Sequence, residues 1–236
     1  MRLYEIPFSH NCVKVRKALD LKGLGYDTVE IEPFLRRNVR RVSGQRFVPV
    51  LVDGDRVVAD STAILLYLEE SYPDPPLLPD DPEERAECLL LEDWADRTFM
   101  ELTRRLAYWN GTSRPGALGR LFFPNAPAPV QRLVSGPATR VLRTVLRMSK
   151  AQNRRDEREA PHVAAIAVDR IAGRDHLVGD SLTIADIALA SMSAPFAMAS
   201  PAVRNDPAVA ELLAWSGRIL DFDKEFATIT SRVGAI

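Results

Sequence analysis

Apolar positions change their period in an ordered way along the first seventy residues. "RLYEI" (2–6) is short, apolar and closed by Pro7, the pattern of a buried strand. In "CVKVRKALDLKGLG", Cys12, Val15, Ala18, Leu19 and Leu21 recur at helical spacing until glycines interrupt them, which predicts a helix. "DTVEIE" (27–32) alternates Val29 and Ile31 with acidic residues, as a strand with one wet face does. The basic segment "FLRRNVRRVSG" suits a short helix. "VPVLVDGDRVVAD" (48–60) sets two β-rich runs around Asp53-Gly54-Asp55, a hairpin signal, and "STAILLYLEESY" opens on two cap-forming residues and continues as a helix.

The order is β-α-β, a variable α, then β-β-α. A β-α-β unit crosses over and so makes parallel strands, whereas the hairpin adds antiparallel ones. The predicted fold class is an α/β thioredoxin-like domain with a mixed sheet covered by helices. Residues 73–82, "PDPPLLPDDP", hold five prolines and read as a linker. Beyond them the β pattern ends. "EERAECLLLEDWADRTFMELTRRLAYW" predicts one long amphipathic helix, and four later stretches from "APVQRLVSGPATRVLRTVLRMSKAQNRRDERE" to "PAVAELLAWSGRIL" predict further helices. Segment 110–129, rich in Gly, Pro, Asn and Ser, reads as an irregular loop. The expected division is a thioredoxin-like domain over 1–74, a Pro-rich linker over 75–82 and an all-α helical bundle domain over 83–236.

Composition narrows the chemistry. The 236 residues are 46% apolar and 27% charged, with a formal net charge of −1, so whole-chain charge gives no reason to expect nucleic acid or an anionic membrane as partner. A small molecule or another protein is the expected partner. The two cysteines, Cys12 and Cys88, lack the spacing of a metal site or a disulfide framework, which fits a reducing compartment. "MRLYEIPFSHNC" lacks the basic-then-apolar order of a signal peptide, and Asp186 and Pro195 interrupt the most apolar later stretch. The expectation is a cytoplasmic protein without a metal.

"FSHNC" (8–12) reads as a Cys-x-x-Cys motif whose first cysteine is Ser9. Dithiol chemistry is thereby excluded. A monothiol route through Cys12 requires an exposed sulfur; the alternative is a small buried packing residue. Ser9 equally suits a helix cap that accepts from the backbone N–H of Cys12. A proline directly before a strand, as in Val48-Pro49, implies either a cis bond or an edge strand. Thr183-Ile184-Ala185-Asp186 has the spacing of a structural capping box. Trp94, Phe99 and Met100 fit a pocket lining or, more simply, a core.

Together "FSHNCVKVRKALDLKG", "VPVLVDGDRVVADSTAILLYLEE" and "HLVGDSLTIADIALAS", in this order, resemble a cytosolic glutathione transferase of the serine type over nearly the whole chain. The resemblance implies an enzyme that activates the thiol of glutathione, as co-substrate, for attack on a hydrophobic electrophile bound by the helical half. It also implies a homodimer. In that reading Ser9 is catalytic, its hydroxyl donating to the glutathione sulfur at a helix N-terminus that favours the thiolate. Val48, before a cis Pro49, pairs with the cysteinyl backbone, and Asp60 and Ser61 hold the zwitterionic γ-glutamyl end. Gln45, Arg46, Arg36, Arg37, Arg40 and Arg41 are candidates for the glycyl carboxylate. The alternatives are a glutathione-dependent thiol transferase or reductase using Cys12, and a non-catalytic binding or scaffold protein. Phe47, where many relatives carry a polar residue, is the departure that keeps the last of these open.

Overall fold

The structure is a computed structural model and describes residues 1–31, 36–113, 116–123, 125–225 and 227. Four short strands, β1 (Arg2–Glu5), β2 (Asp27–Glu30), β3 (Val50–Asp53) and β4 (Arg56–Ala59), make one sheet in the order β2-β1-β3-β4. The crossover through helix α1 (His10–Leu21) sets β1 and β2 parallel, with Leu3 opposite Thr28. β3 runs antiparallel to β1, pairing Leu51 with Leu3, and β4 returns antiparallel from an Asp53–Arg56 closing pair. Gly54 sits at φ 56° in that turn, which explains the glycine of the hairpin signal. The mixed sheet is the one the pattern predicts.

Side chains alternate across the pleat and so divide the core in two. Tyr4, Ile6, Ile31 and Val50 cluster on one face with Val39 of helix α2 (Arg37–Ser43). The first two residues of the segment read as that helix lie outside the described residues. Leu3 and Leu51 point the other way and are fully buried, as are Val15, Leu19, Ile64 and Leu68 of α1 and α3 (Ser61–Ser71), two helices that pack on each other. The hydroxyls of Tyr67 and Tyr72 donate to Asp53 Oδ2 at 2.8 and 2.5 Å, fastening the hairpin to α3.

The proline-rich stretch is pinned along much of its length. Lys22 Nζ donates to the carbonyls of Tyr72 and Pro75 at 2.7 and 2.9 Å, and Glu69 Oε2 accepts from the N–H groups of Leu77 and Leu78 at 3.0 and 3.1 Å. Both leucines are buried. A segment unable to form helix or strand is thus fixed by two long side chains that satisfy its backbone.

Three expectations for the region beyond the linker are corrected. The single helix predicted after the linker is α4 (Pro82–Asp93), a π-helical turn (Trp94–Phe99) and α5 (Met100–Ser113). Phe99 at the end of that turn is fully buried, its ring edge-on to Phe196 with centroids 5.5 Å apart, so it belongs to the core. The segment read as irregular loop continues α5 to Ser113 and holds α6 (Ala117–Phe122). Thr112 and Ser113 hydroxyls bond back to the Trp109 carbonyl, at 3.1 and 2.8 Å, within the last turn of α5. The helix read over 128–159 is likewise divided into α7 (Ala128–Val145) and α8 (Lys150–Ile171). Arg147 at φ 52° makes the break and Ser149 caps α8 by accepting from Gln152 N–H at 3.0 Å. Helices α9 (Ile184–Ser193), α10 (Pro201–Arg204) and α11 (Pro207–Ile219) complete the described elements.

The chain forms two compact units, residues Met1–Asp93 with Asp175–Ser191, and Trp94–Arg174 with the chain from Met192 onward. In the second, α8 packs on α5 and α11, and Arg105 makes a bidentate pair to the buried Asp156, both bonds 2.9 Å. Among the described residues no helix is long and apolar enough to cross a membrane.

Candidate functional site

The turn between β1 and α1 is held by Arg16, which pairs with Glu5 and donates to the Pro7 carbonyl at 2.9 Å. Ser9 is the N-cap residue of α1. Its N–H donates to the Ile6 carbonyl at 2.8 Å, and its own carbonyl accepts from Cys12 and Val13 N–H at 2.8 and 2.9 Å. The hydroxyl makes no cap bond. The capping role expected of the side chain is therefore filled by the main chain.

Cys12 is 0% exposed. Burial pushes its thiol up to about 12, while hydrogen bonds from the Ile6 backbone and the Ser9 side chain pull weakly the other way. The exposure that a monothiol route needs is absent, so thiol transfer through Cys12 is withdrawn on physical grounds. Native protein at pH 8 is expected to leave Cys12 unmodified by iodoacetamide for hours, with rapid alkylation only in denaturant; peptide mass spectrometry reads the result. Because the folded value lies above the 9.0 of a free thiol, the contribution of this group is complete below pH 9 and declines as pH rises from there towards 12.

A cleft of about 360 Å³ opens beside this helix start, lined by Asn11, Gln45, Phe47, Val48, Pro49, Ala59, Asp60 and Ser61. It brings together five of the residues singled out in the sequence: Gln45, Val48, Pro49, Asp60 and Ser61. Ser9, Cys12, Arg46 and the four arginines between 36 and 41 are not among its lining residues. The Val48-Pro49 peptide is cis. The Gln45 amide is engaged locally, donating to the Phe47 carbonyl at 2.8 Å and accepting from the Phe47 N–H. Phe47 itself is 73% exposed at the rim.

Asp60 has φ 87° and ψ 135°, a conformation L-residues avoid and one that costs about 1–3 kcal/mol. Two bonds hold it there: Oδ1 accepts from Ala63 N–H at 3.1 Å, and the Asp60 N–H donates to the Pro49 carbonyl at 3.4 Å. The strained residue thereby ties the start of α3 to the cis-proline edge of the cleft.

Sequence reasoning missed three participants. Asn11 projects from the first turn of α1, and its Oδ1 is buried with no hydrogen-bond partner in a wall of the cleft. Nothing in the local sequence distinguished this asparagine from the other polar residues of α1. Lys14, fully buried, donates to Ser61 Oγ at 3.4 Å and Thr62 Oγ1 at 3.2 Å and forms an ion pair with the buried Glu92 of α4. Thr62 donates to the same Glu92 oxygen at 2.7 Å. Because Lys14 occupies the acceptor side of Ser61, the serine proton is left to a ligand at the N-terminus of α3, where the helix dipole also favours negative charge.

The fold and this cleft define a thioredoxin-like domain joined to an all-helical region, with a helix-start pocket facing a cis-proline edge. The N-terminal domain family of glutathione S-transferases matches residues 3–76. Glutathione S-transferase 1 of Dianthus caryophyllus is 43% identical over 90 residues, 36% of this chain and 41% of that protein. A maleylpyruvate isomerase of Ralstonia is 37% identical over 89 residues, 36% of this chain and 42% of that protein. A glutathione S-transferase structure from Rhodospirillum rubrum F11 superposes with TM-score 0.69 at 29% identity, over 95% of this chain and 91% of that one. Residues 3–76 therefore belong to the N-terminal domain family of glutathione S-transferases. The matches to the curated relatives span about two fifths of their length.

Proposed function

We propose that the protein binds glutathione in the cleft and activates its thiol for attack on a hydrophobic electrophile. The observation that carries this reading is the arrangement of Asn11, Val48, cis Pro49, Asp60 and Ser61 around one cleft. The backbone of Val48, freed by the cis bond, pairs with the cysteinyl residue. Ser61 donates to the γ-glutamyl carboxylate over the buried Lys14, and Asp60 faces the α-amino group, so both charges of that zwitterionic end meet their opposites. The Ser9 hydroxyl, which makes no cap bond, donates to the ligand thiolate, lowering its pKa without losing its own proton. Asn11 supplies a second amide contact to the cysteinyl part. The helical residues of 83–236 carry the electrophile, although Pro82–Asp93 and Asp175–Ser191 group with the sheet in the first compact unit, and the protein works as a cytoplasmic homodimer.

Calorimetric titration with glutathione tests binding, and a conjugation assay with a model electrophile tests activation. Ser9→Ala is expected to keep glutathione affinity while reducing kcat about 10²-fold, the effect of removing one donor aimed at developing charge. Asn11→Ala is expected to raise the glutathione Kd about tenfold, equal to one hydrogen bond of about 1.4 kcal/mol. Turnover by Ser9→Ala at the wild-type rate removes Ser9 from the mechanism, and a flat titration of the wild type sinks the whole reading in favour of a scaffold.

A further inference from the structure

The net charge of −1 conceals a strong segregation. Between residues 102 and 155 the chain has eleven arginines and lysines and no aspartate or glutamate. Helix α7 lies within this stretch. One of its sides is anchored on α6, where Ser135 Oγ accepts from Gly119 N–H at 2.9 Å and donates to the Gln131 carbonyl at 2.7 Å. The approach is close enough that a Cβ on Gly119 would lie 2.0 Å from the Gln131 carbonyl oxygen, so this side of α7 is fixed against its neighbour. Arg143 also turns inward, 4.4 Å from the centroid of the Trp109 ring.

The opposite side of α7 is unusual. Val130, Leu133, Val141 and Val145 are 44, 77, 61 and 70% exposed, and at 100° per residue they fall within one third of the helix circumference. Arg140 and, just past the helix end, Arg147 are exposed along one flank of that row. An apolar row with cations beside it is the pattern of a helix that lies in a lipid headgroup region, aliphatic side chains down and guanidinium groups reaching the phosphates. Other occupants fit less well. A two-fold pairing of two copies through α7 would bring the cations of both copies to one seam with no acidic residue of this stretch to offset them. Nucleic acid would use the arginines and leave the aliphatic row in water.

We propose that α7 is an interfacial docking helix for an anionic membrane surface, bringing the enzyme to apolar substrates dissolved there without spanning the bilayer. The docking itself is independent of glutathione. Co-sedimentation with large unilamellar vesicles of phosphatidylcholine alone, or with 30% phosphatidylserine (a composition of order typical for such assays), reads it out. The wild type is expected to bind the anionic vesicles and not the neutral ones. Arg140→Glu with Arg147→Glu should reduce partitioning at least about tenfold, since each cation near such a surface is worth about one kcal/mol. Leu133→Asn should reduce it several-fold, with circular dichroism unchanged in every variant. Three results overturn the proposal: no partitioning onto anionic vesicles, partitioning that ignores Leu133, or self-association in light scattering that Leu133→Asn abolishes. Duplex DNA binding insensitive to Leu133, with no vesicle binding, likewise overturns it and assigns the charge to nucleic acid.

Discussion

Lys14→Met is expected to lower the free energy of unfolding by about 3–5 kcal/mol, because it leaves Glu92 charged and buried without its partner. The magnitude rests on complete burial of both groups, 0% and 3% side-chain exposure, which removes the solvent screening that makes surface pairs nearly worthless. Thr62 alone stays on the Glu92 oxygen. Urea unfolding should show a lower midpoint with an unchanged slope. The double variant Lys14→Met/Glu92→Leu is expected to recover most of the loss, since replacing a buried pair with apolar residues is often neutral. If the single variant costs less than about 1 kcal/mol, the pair is hydrated in solution and the account fails. The same substitution has a functional component. Ser61 loses the donor that orients its hydroxyl, so the double variant, though stable, should bind glutathione more weakly than the wild type.

How much of this was readable beforehand depends on the distance between partners along the chain. The sheet was legible because its determinants are local: period-two runs, Pro7, and Asp53-Gly54 at the hairpin. Val48-Pro49 and Asp60-Ser61 were singled out through the family resemblance, and what the structure adds is that all four line one cleft. Lys14 was not singled out. Its partner Glu92 is 78 residues away, and a lysine between Val13 and Val15 reads as the wet side of an amphipathic helix until the helix proves to be buried on several sides at its start. Ser9 illustrates the opposite error, since a cap residue in the right place suggested a side-chain cap that the main chain performs. The helical half was harder again. Helical periodicity continues through its π turn and through the Arg147 break without interruption, so neither was marked in the sequence.

Asp186→Ala is expected to cost about 3 kcal/mol, more than the 0.5–2 kcal/mol of an ordinary cap residue. The capping box is present but differs from the expected form. Asp186 Oδ2 accepts from the Thr183 N–H at 2.8 Å and from the Thr183 hydroxyl at 2.7 Å, so the threonine donates twice and its hydroxyl does not accept from the Asp186 N–H. Oδ1 reaches further back and accepts from the Leu177 N–H at 2.7 Å. Asp186, Thr183 and Leu177 are all essentially buried, so alanine would strand three donors where water cannot replace the carboxylate. The consequence extends beyond one helix end. The next residue, Ile184, donates to the Leu77 carbonyl at 2.8 Å and so joins the start of α9 to the pinned proline-rich stretch. Asp186→Asn separates shape from charge: one amide oxygen can serve only part of three donors, and its NH₂ faces donors in turn. It should therefore fall between wild type and alanine in thermal unfolding, with Thr183→Val near the Asn variant. A loss for Asp186→Ala no larger than that for Thr183→Val would mean that the Leu177 bond contributes nothing, and that the box is a local cap after all.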